Sequence, residues 1–328
     1  MEKIIGQKKR YENIDFMKGI CILLVVATHL DLPVLSHASF SLFRMPLYYF
    51  LSGIFFSRYD GFRTFLIKKT NNLIIPYLFF SLFTLVAILV FYFWKDLSLK
   101  EAYMESGPLH NGPIWFLVSL FEVGIIVYFV SAIKSNVLQF VLVLILSILG
   151  YYLCQKKIIL PFYLNTALLG VFFYYAGLLL RRYRILDDES HIGIKFVSFL
   201  VIFLMVAFVA VPDRRLALIS YDVPFLYHWF VIAGLSGTLA LFYLSKLVKK
   251  VSIINYFGRY SIIVLGVHWY FVKSWKYLIL PPTGELQKDL FLFFNYFVSL
   301  LASLVCIVLM KKYLPWFTAQ KPFFKLPE

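Results

Sequence analysis

Charge is scarce in this chain. Of 328 residues only 15% are Asp, Glu, Lys or Arg, while 61% are hydrophobic and 20% aromatic. An ordinary soluble domain carries about 25% charged residues, so that class is excluded and a polytopic helical membrane protein is indicated. Alternation is lacking too. The apolar stretches run to about 20 residues rather than alternating over about ten, which argues against a membrane β-barrel. Cysteine is rare, and Cys21, Cys154 and Cys306 all fall inside apolar runs. That leaves no disulfide framework and no paired metal-ligand spacing, so no metal is expected. There is no internal repeat, no low-complexity tract and no separate soluble domain. Gly-x-Ser-x-Gly is missing, so Ser52–Gly53 reads as a small-residue helix contact, as do Gly258 and Gly266. The first apolar stretch has no small-residue cleavage site and is interrupted by an acid and a base. It reads as a retained helix rather than a removed signal.

What is present is a series of ten apolar segments, near 14–35, 40–57, 73–94, 113–133, 136–154, 161–181, 192–212, 223–245, 253–272 and 290–310. The fold class is all-α, a single domain over 1–328 formed as a bundle of about ten transmembrane spans. Placing the N-terminus inside puts 21 Lys and Arg in the inner connections against 9 in the outer ones. That bias predicts cytoplasmic termini at both ends. The net charge of +15 then reflects inner loops and an anionic cosubstrate, not nucleic acid. Residues 58–72 mix Phe62, Phe65, Leu66 and Ile67 with Arg58, Arg63, Lys68 and Lys69. This pattern suits a short amphipathic helix on the inner surface, although a lipid-contacting positive loop has the same composition. Residues 312–328 read as a basic tail without obvious order.

The first span, IDFMKGICILLVVATHLDLPVL, carries Asp15, Lys18 and His29. Charges at membrane depth are costly and tend to face protein or water. Lys18 and His29 are eleven residues apart, and eleven steps of about 100° come within about 20° of whole turns. One helix face therefore carries Lys18, Ile22, Val25 and His29, with the imidazole roughly 16 Å along the axis from the lysine. A cation near the surface aligned with a deep base suits a long anionic cosubstrate whose reactive end reaches the histidine. A snorkelling lysine and a histidine bonded to a neighbouring helix are the alternative.

The pattern IDFMKGICILLVVATH resembles the opening of the integral-membrane acyltransferase family (acyltransferase type 3), which has Arg or Lys, ten residues, then His in its first helix. The branch described as fucose 4-O-acetylase-like is similar again at RMPLYYFLSG (44–53), KKTNNLIIPY (68–77), GPIWFLVSLF (112–121) and FGRYSIIVLGVH (257–268). The resemblance implies a membrane O-acyltransferase, with O-acetylation first in line and succinylation as an alternative. Acetyl-CoA or another acyl-CoA is its cosubstrate, and a cell-surface glycan or lipid-linked sugar precursor its acceptor. It implies His29 as the catalytic group, acting either as general base or as a transient acyl carrier. Lys18, Lys68 and Lys69 would meet the coenzyme phosphates. The family's Arg-x-x-Arg falls here on Lys69 and Asn72, so one fork is replaced by an ammonium and the second charge is lost.

Depth connects the other polar residues. His29 and His268 both lie about 22 Å from the inner boundary of outward-running spans. Arg44, Trp115, Glu122 and His228 reach similar outer levels on other helices, so a shared cavity is the economical expectation. In it Arg44 would orient the acceptor or stabilise an oxyanion, and His268 would support His29. Glu122 joins them as a candidate, an Arg44–Glu122 ion pair being the structural competitor. Trp115 is a candidate for substrate contact, with interfacial anchoring as its plain role, and His228 reads as a packing residue. The competing function is a transporter or flippase for a lipid-linked sugar, with the same residues lining a passage. A scaffold in polysaccharide assembly is a third reading. The expected setting is a bacterial cytoplasmic membrane, with lipid, a second copy or assembly machinery as further partners.

Overall fold

The computed structural model describes residues 11–30, 32, 38–94, 111–210, 223, 226–248, 250–278 and 284–326. Among these the chain is helical, with no strand. The helices are α1 (Glu12–His29), α2 (Ala38–Ile54), α3 (Phe62–Lys69), α4 (Ile75–Trp94), α5 (Trp115–Val130) and α6 (Asn136–Gln155). They continue with α7 (Leu164–Arg182), α8 (Ile192–Met205), α9 (Tyr227–Val248), α10 (Ser252–Arg259), α11 (Ser261–Leu278) and α12 (Glu285–Tyr313). A helix occupies each of the ten apolar segments, and the ninth is divided at Tyr260 into α10 and α11. Six helical stretches are long and apolar enough to cross a membrane: Gly112–Val130, Asn136–Gln155, Pro161–Arg182, Ile192–Val209, Tyr227–Val248 and Leu286–Tyr313. Long runs of this kind satisfy every backbone group internally, which is what a bilayer demands. Several keep large apolar side chains outward, such as Val137 and Ile145 on α6, Ile194 and Val201 on α8, and Leu301 and Val308 on α12. Such faces are suited to lipid.

Helix α1 is the seam of the molecule. Its Phe16, Met17 and Cys21 pack into a cluster with α2, α5, α7 and α9. Its Ile22, Val26 and Ala27 pack into a second cluster with Phe80 of α4 and with α11 and α12. Glycine lets the backbones close around this seam. A Cβ on Gly19 would stand 2.1 Å from the Ile254 carbonyl oxygen, and one on Gly258 only 1.8 Å from that of Asp15. Small residues therefore bring α1 and α10 into direct backbone contact, as membrane helix pairs commonly require. Asn255 Nδ2 donates to the Glu12 carbonyl at 2.9 Å and fixes the same crossing.

The amphipathic segment folds as expected in outline. Gly61, at φ 119°, turns the chain in a conformation that other residues rarely adopt, and α3 begins immediately after it. Phe65 and Thr64 are buried while Arg63 is exposed. A π-turn at Thr70–Ile74 then passes into α4. The tail differs from its reading as a segment without order. Leu314 to Leu326 follow a defined run of turns. Phe317 stacks on Phe79 and meets Phe323 at a tilt, with centroids 5.3 and 5.5 Å away. The composition hid this because three aromatic rings, not a periodic pattern, hold the segment.

Candidate active site

A cavity of about 1140 Å³ runs beside α1. Lys18, Lys68, Lys69 and Asn72 line one end's surroundings, and His29, Arg44 and Trp115 also face the cavity. The Lys18–His29 face predicted from helical register thus borders one space. Lys18 approaches the Phe55 ring, 5.6 Å from its centroid, and its carbonyl accepts a 3.3 Å bond from Tyr48 Oη. Further cations reach the lining from elsewhere: Arg181 at the end of α7, Arg259 at the end of α10 and Lys321 in the tail. Arg181 is held by the carbonyls of Ile54 and Phe56, to which its Nη1 donates at 2.9 and 3.0 Å. Lys68 stands over the Tyr59 ring at 3.6 Å, and Lys69 Nζ donates to Tyr174 Oη at 3.1 Å. Burial pushes the Lys69 ammonium down to about 8 from its usual range, because a low-dielectric surrounding disfavours the charged form.

At the histidine end, Arg44 is 8% exposed and reaches back across α1. Its Nη1 donates to the Leu24 carbonyl at 3.0 Å and to Thr28 Oγ1. Thr28 Oγ1 in turn donates to Leu24 O at 2.8 Å. Among the described residues Arg44 Nε, though buried, has no hydrogen-bond partner. The guanidinium is therefore held through Nη1, with its buried Nε–H unspent among the described residues. The imidazole of His29 lies edge-on to Trp269, 5.0 Å between centroids, and 5.4 Å from the ring of His268. Trp269 lines the cavity and packs over Gly112, where a Cβ would be 3.3 Å from its ring.

His268 itself is fully buried and does not line the cavity. Its Nδ1 is 2.7 Å from the Val264 carbonyl oxygen. A carbonyl only accepts, so Nδ1 carries the proton and Nε2 is left with its lone pair. Nε2 is buried and has no partner among the described residues. Histidine 268 is thus locked in one tautomer behind His29.

Besides His268, two expected members of the shared cavity stand apart from it. Glu122 is absent from the lining, and Oε2 of its side chain is buried without a hydrogen bond among the described residues. No ion pair joins it to Arg44 among those residues either. The helical phase explains this. Position 122 follows Ser119 by one turn, and Ser119 faces a buried hydroxyl chain through Tyr49 at 2.6 Å and Thr166 at 3.0 Å, not the α1 side. His228 is exposed beside Trp229, 4.9 Å between rings, and neither packs internally nor lines the cavity. Equal depth on different helices does not mean a common facing direction. Trp115 is 6% exposed, lines the cavity and leans on Tyr163 at 5.6 Å.

Sequence reasoning missed Thr28, Trp269, Arg181, Arg259 and Lys321. Thr28 and Trp269 each adjoin a histidine already singled out, and adjacency was the available signal. The three cations contribute to the membrane-orientation count, and Arg259 also falls in the FGRYSIIVLGVH block. Among the described residues no group of three or more His, Cys, Asp or Glu is placed to hold a metal.

A bundle with six stretches long and apolar enough to cross a membrane encloses a histidine and an arginine together with several cations on one cavity, which defines an integral-membrane protein with a candidate active site. The chain belongs to the acyltransferase type 3 family: the family model described as "Acyltransferase domain" matches residues 11–312. No curated protein and no solved structure matches it. The protein is accordingly a multi-pass membrane acyltransferase.

Proposed function

We propose that the protein transfers an acyl group, acetyl foremost, from acyl-CoA to a hydroxyl of a cell-surface glycan or its lipid-linked precursor. The observation that carries this reading is the single cavity bordered both by Lys18, Lys68 and Lys69 and by His29 and Arg44. Its volume, about 1140 Å³, exceeds the ordinary range of about 300–1,000 Å³ for one small-molecule site, which suits two substrates meeting end to end. The coenzyme phosphates bind at the lysines, and the thioester extends toward His29. Neutral imidazole takes the proton of the acceptor hydroxyl as its oxygen attacks the thioester carbonyl. The unspent Arg44 Nε–H supports the oxyanion that forms. Collapse expels the coenzyme thiolate, which recovers the proton from the imidazolium, so His29 ends as it began. A transient acyl-imidazole is the alternative order of the same bonds.

In this reading the chain makes ten spans, with both termini and the lysines on the cytoplasmic side of a bacterial membrane. The acceptor approaches from the opposite side, and succinyl is the next acyl group to test. Purified protein in nanodiscs, supplied with acetyl-CoA and a membrane glycan fraction, should release free coenzyme A and acetylate the glycan. A passage for lipid-linked sugar would transport its substrate and release no coenzyme A, and that outcome would remove the transferase assignment.

A further inference from the structure

Asn71 is buried at 3% exposure, one residue before the family-equivalent Asn72, and is wholly engaged by the C-terminal tail. Its Nδ2 donates to the Phe324 carbonyl at 2.8 Å. Its Oδ1 accepts from the backbone N–H groups of Phe323 at 3.1 Å and Phe324 at 2.8 Å. A side-chain amide spending donor and acceptor together on one short backbone stretch is a clamp with a defined geometry. The same stretch borders the cavity: Ala319, Gln320, Lys321, Pro322 and Leu326 all contribute to its lining. Ala319 holds φ at 59°, a left-handed conformation that costs a non-glycine residue energy and persists where its surroundings impose it. The backbone N–H groups of Gln320 and Lys321 both donate to Pro315 O at 2.9 Å, closing the turn that presents Lys321. The segment is tied on the α4 side by the Phe79–Phe317–Phe323 ring contacts and on the π-turn side by Asn71.

Among the described residues seven cations line this cavity against one carboxylate, Asp15. Five of those cations, Lys68, Lys69, Arg181, Arg259 and Lys321, sit at the ends of helices or in the tail. We infer that the C-terminal tail is a working part of the donor site. Lys321 is a phosphate-binding residue for the nucleotide portion of acyl-CoA, and Asn71 is the positioning residue that holds Lys321 over the cavity. The inference rests on the acyl-CoA reading above. It explains why the basic end retains charge where the second family arginine is replaced by Asn72. The tail lysine supplies a cation from a different part of the chain, and the neighbouring asparagine anchors it.

The test compares two donors, acetyl-CoA and S-acetylpantetheine, which carries the same thioester without the nucleotide. Lys321→Ala should raise KM for acetyl-CoA by about 3- to 30-fold, between a screened surface ion pair and one hydrogen bond to a charged group. The ratio of KM values for the two donors should shift by the same factor, and Lys321→Arg should restore it. Asn71→Ala should shift the ratio in the same direction. The Asn71→Ala, Lys321→Ala double variant should be little worse than the poorer single, because both changes remove one contact. A merely structural tail would weaken use of both donors alike or lower kcat, leaving the ratio unmoved, and that result overturns the inference. Isothermal titration with adenosine 3′,5′-bisphosphate separates the two layers. Binding by the wild type that Lys321→Ala weakens, without acyl transfer by either, sinks the transferase reading while upholding the tail site. Equal binding by wild type and Lys321→Ala, or none by either, sinks the tail site whatever the turnover.

Discussion

The two ends of the cavity are built on opposite plans. The basic end gathers Lys18, Lys68, Lys69, Arg181, Arg259 and Lys321 from α1, α3, α7, α10 and the tail. No one of these is indispensable to an electrostatic entrance, because charges near water act over distance and partly substitute for one another. The histidine end has one imidazole and one guanidinium on its lining, and each is held by specific neighbours. Arg44 is bonded to Leu24 and Thr28, and His29 is framed by Trp269 and His268. Binding of a polyanion tolerates redundancy, whereas moving a proton requires one group at one place. The contrast predicts steep, singular losses at one end and shallow, graded ones at the other.

The steepest loss should come from His29→Ala. If His29 is the base, transfer should fall about 10²- to 10⁴-fold in kcat while coenzyme A binding is largely kept. Calorimetry on the variant and single-turnover transfer measure the two halves separately. A well-folded variant transferring at near wild-type rates defeats the assignment, and parallel loss of thermal stability and activity marks a packing role instead. His268→Ala should be milder, because that ring stands behind the cavity rather than on it. Next in size is Arg44→Lys, which keeps the charge but loses the fork that grips α1. Loss of an oxyanion donor predicts a fall of about 10²- to 10³-fold in kcat with KM nearly constant. A change confined to KM would move Arg44 from the reacting atoms to acceptor binding.

Much of this asymmetry was legible beforehand, and the reasons for the rest are physical. Helical register alone placed Lys18 and His29 on one face, because an α-helix fixes direction as well as depth. Depth without register misplaced Glu122 and His228, since residues at equal height on different helices share a cavity only if both helices are turned toward it. The ten apolar segments were readable from length, yet the division of the ninth at Tyr260 was not, since no proline or glycine stands at that position. The tail left no periodic signal. Its order depends on Asn71, some 250 residues earlier in the chain, and contacts of that range leave no local pattern.

A smaller effect belongs to the basic end. Lys68→Ala with Lys69→Ala should raise KM for acyl-CoA roughly tenfold with kcat little changed, the sum of two modest charge contributions. Unchanged coenzyme affinity would strike this pair from the site. A pH series sharpens the point. Burial holds Lys69 at about 8, so its charge is complete below that value and lost as pH rises through it. Coenzyme A affinity of the wild type should therefore decline between pH 7 and 9, and Lys69→Ala should flatten that part of the profile. An identical profile in the variant would mean that Lys69 does not meet the ligand.

The smallest expected effect is a gain. Asn72 is exposed and lines the cavity on the π-turn, while its neighbour Asn71 is buried in the tail clamp. The extra residue per turn in this stretch directs two adjacent asparagines to different tasks. An arginine at 72 has solvent to enter and, on the proposed acyl-CoA reading, would meet a coenzyme phosphate, so Asn72→Arg should tighten coenzyme A binding by a factor of about two to five or leave it unchanged. Asn71→Arg, made beside it, should instead weaken binding, because a long cation cannot reproduce the paired bonds to Phe323 and Phe324. Titration calorimetry of both variants against wild type gives the comparison directly. A folded Asn72→Arg protein that binds markedly worse would show that position 72 faces the donor along a different line from the family's second arginine. The redundancy assigned to the basic end would then be narrower than its charge count implies.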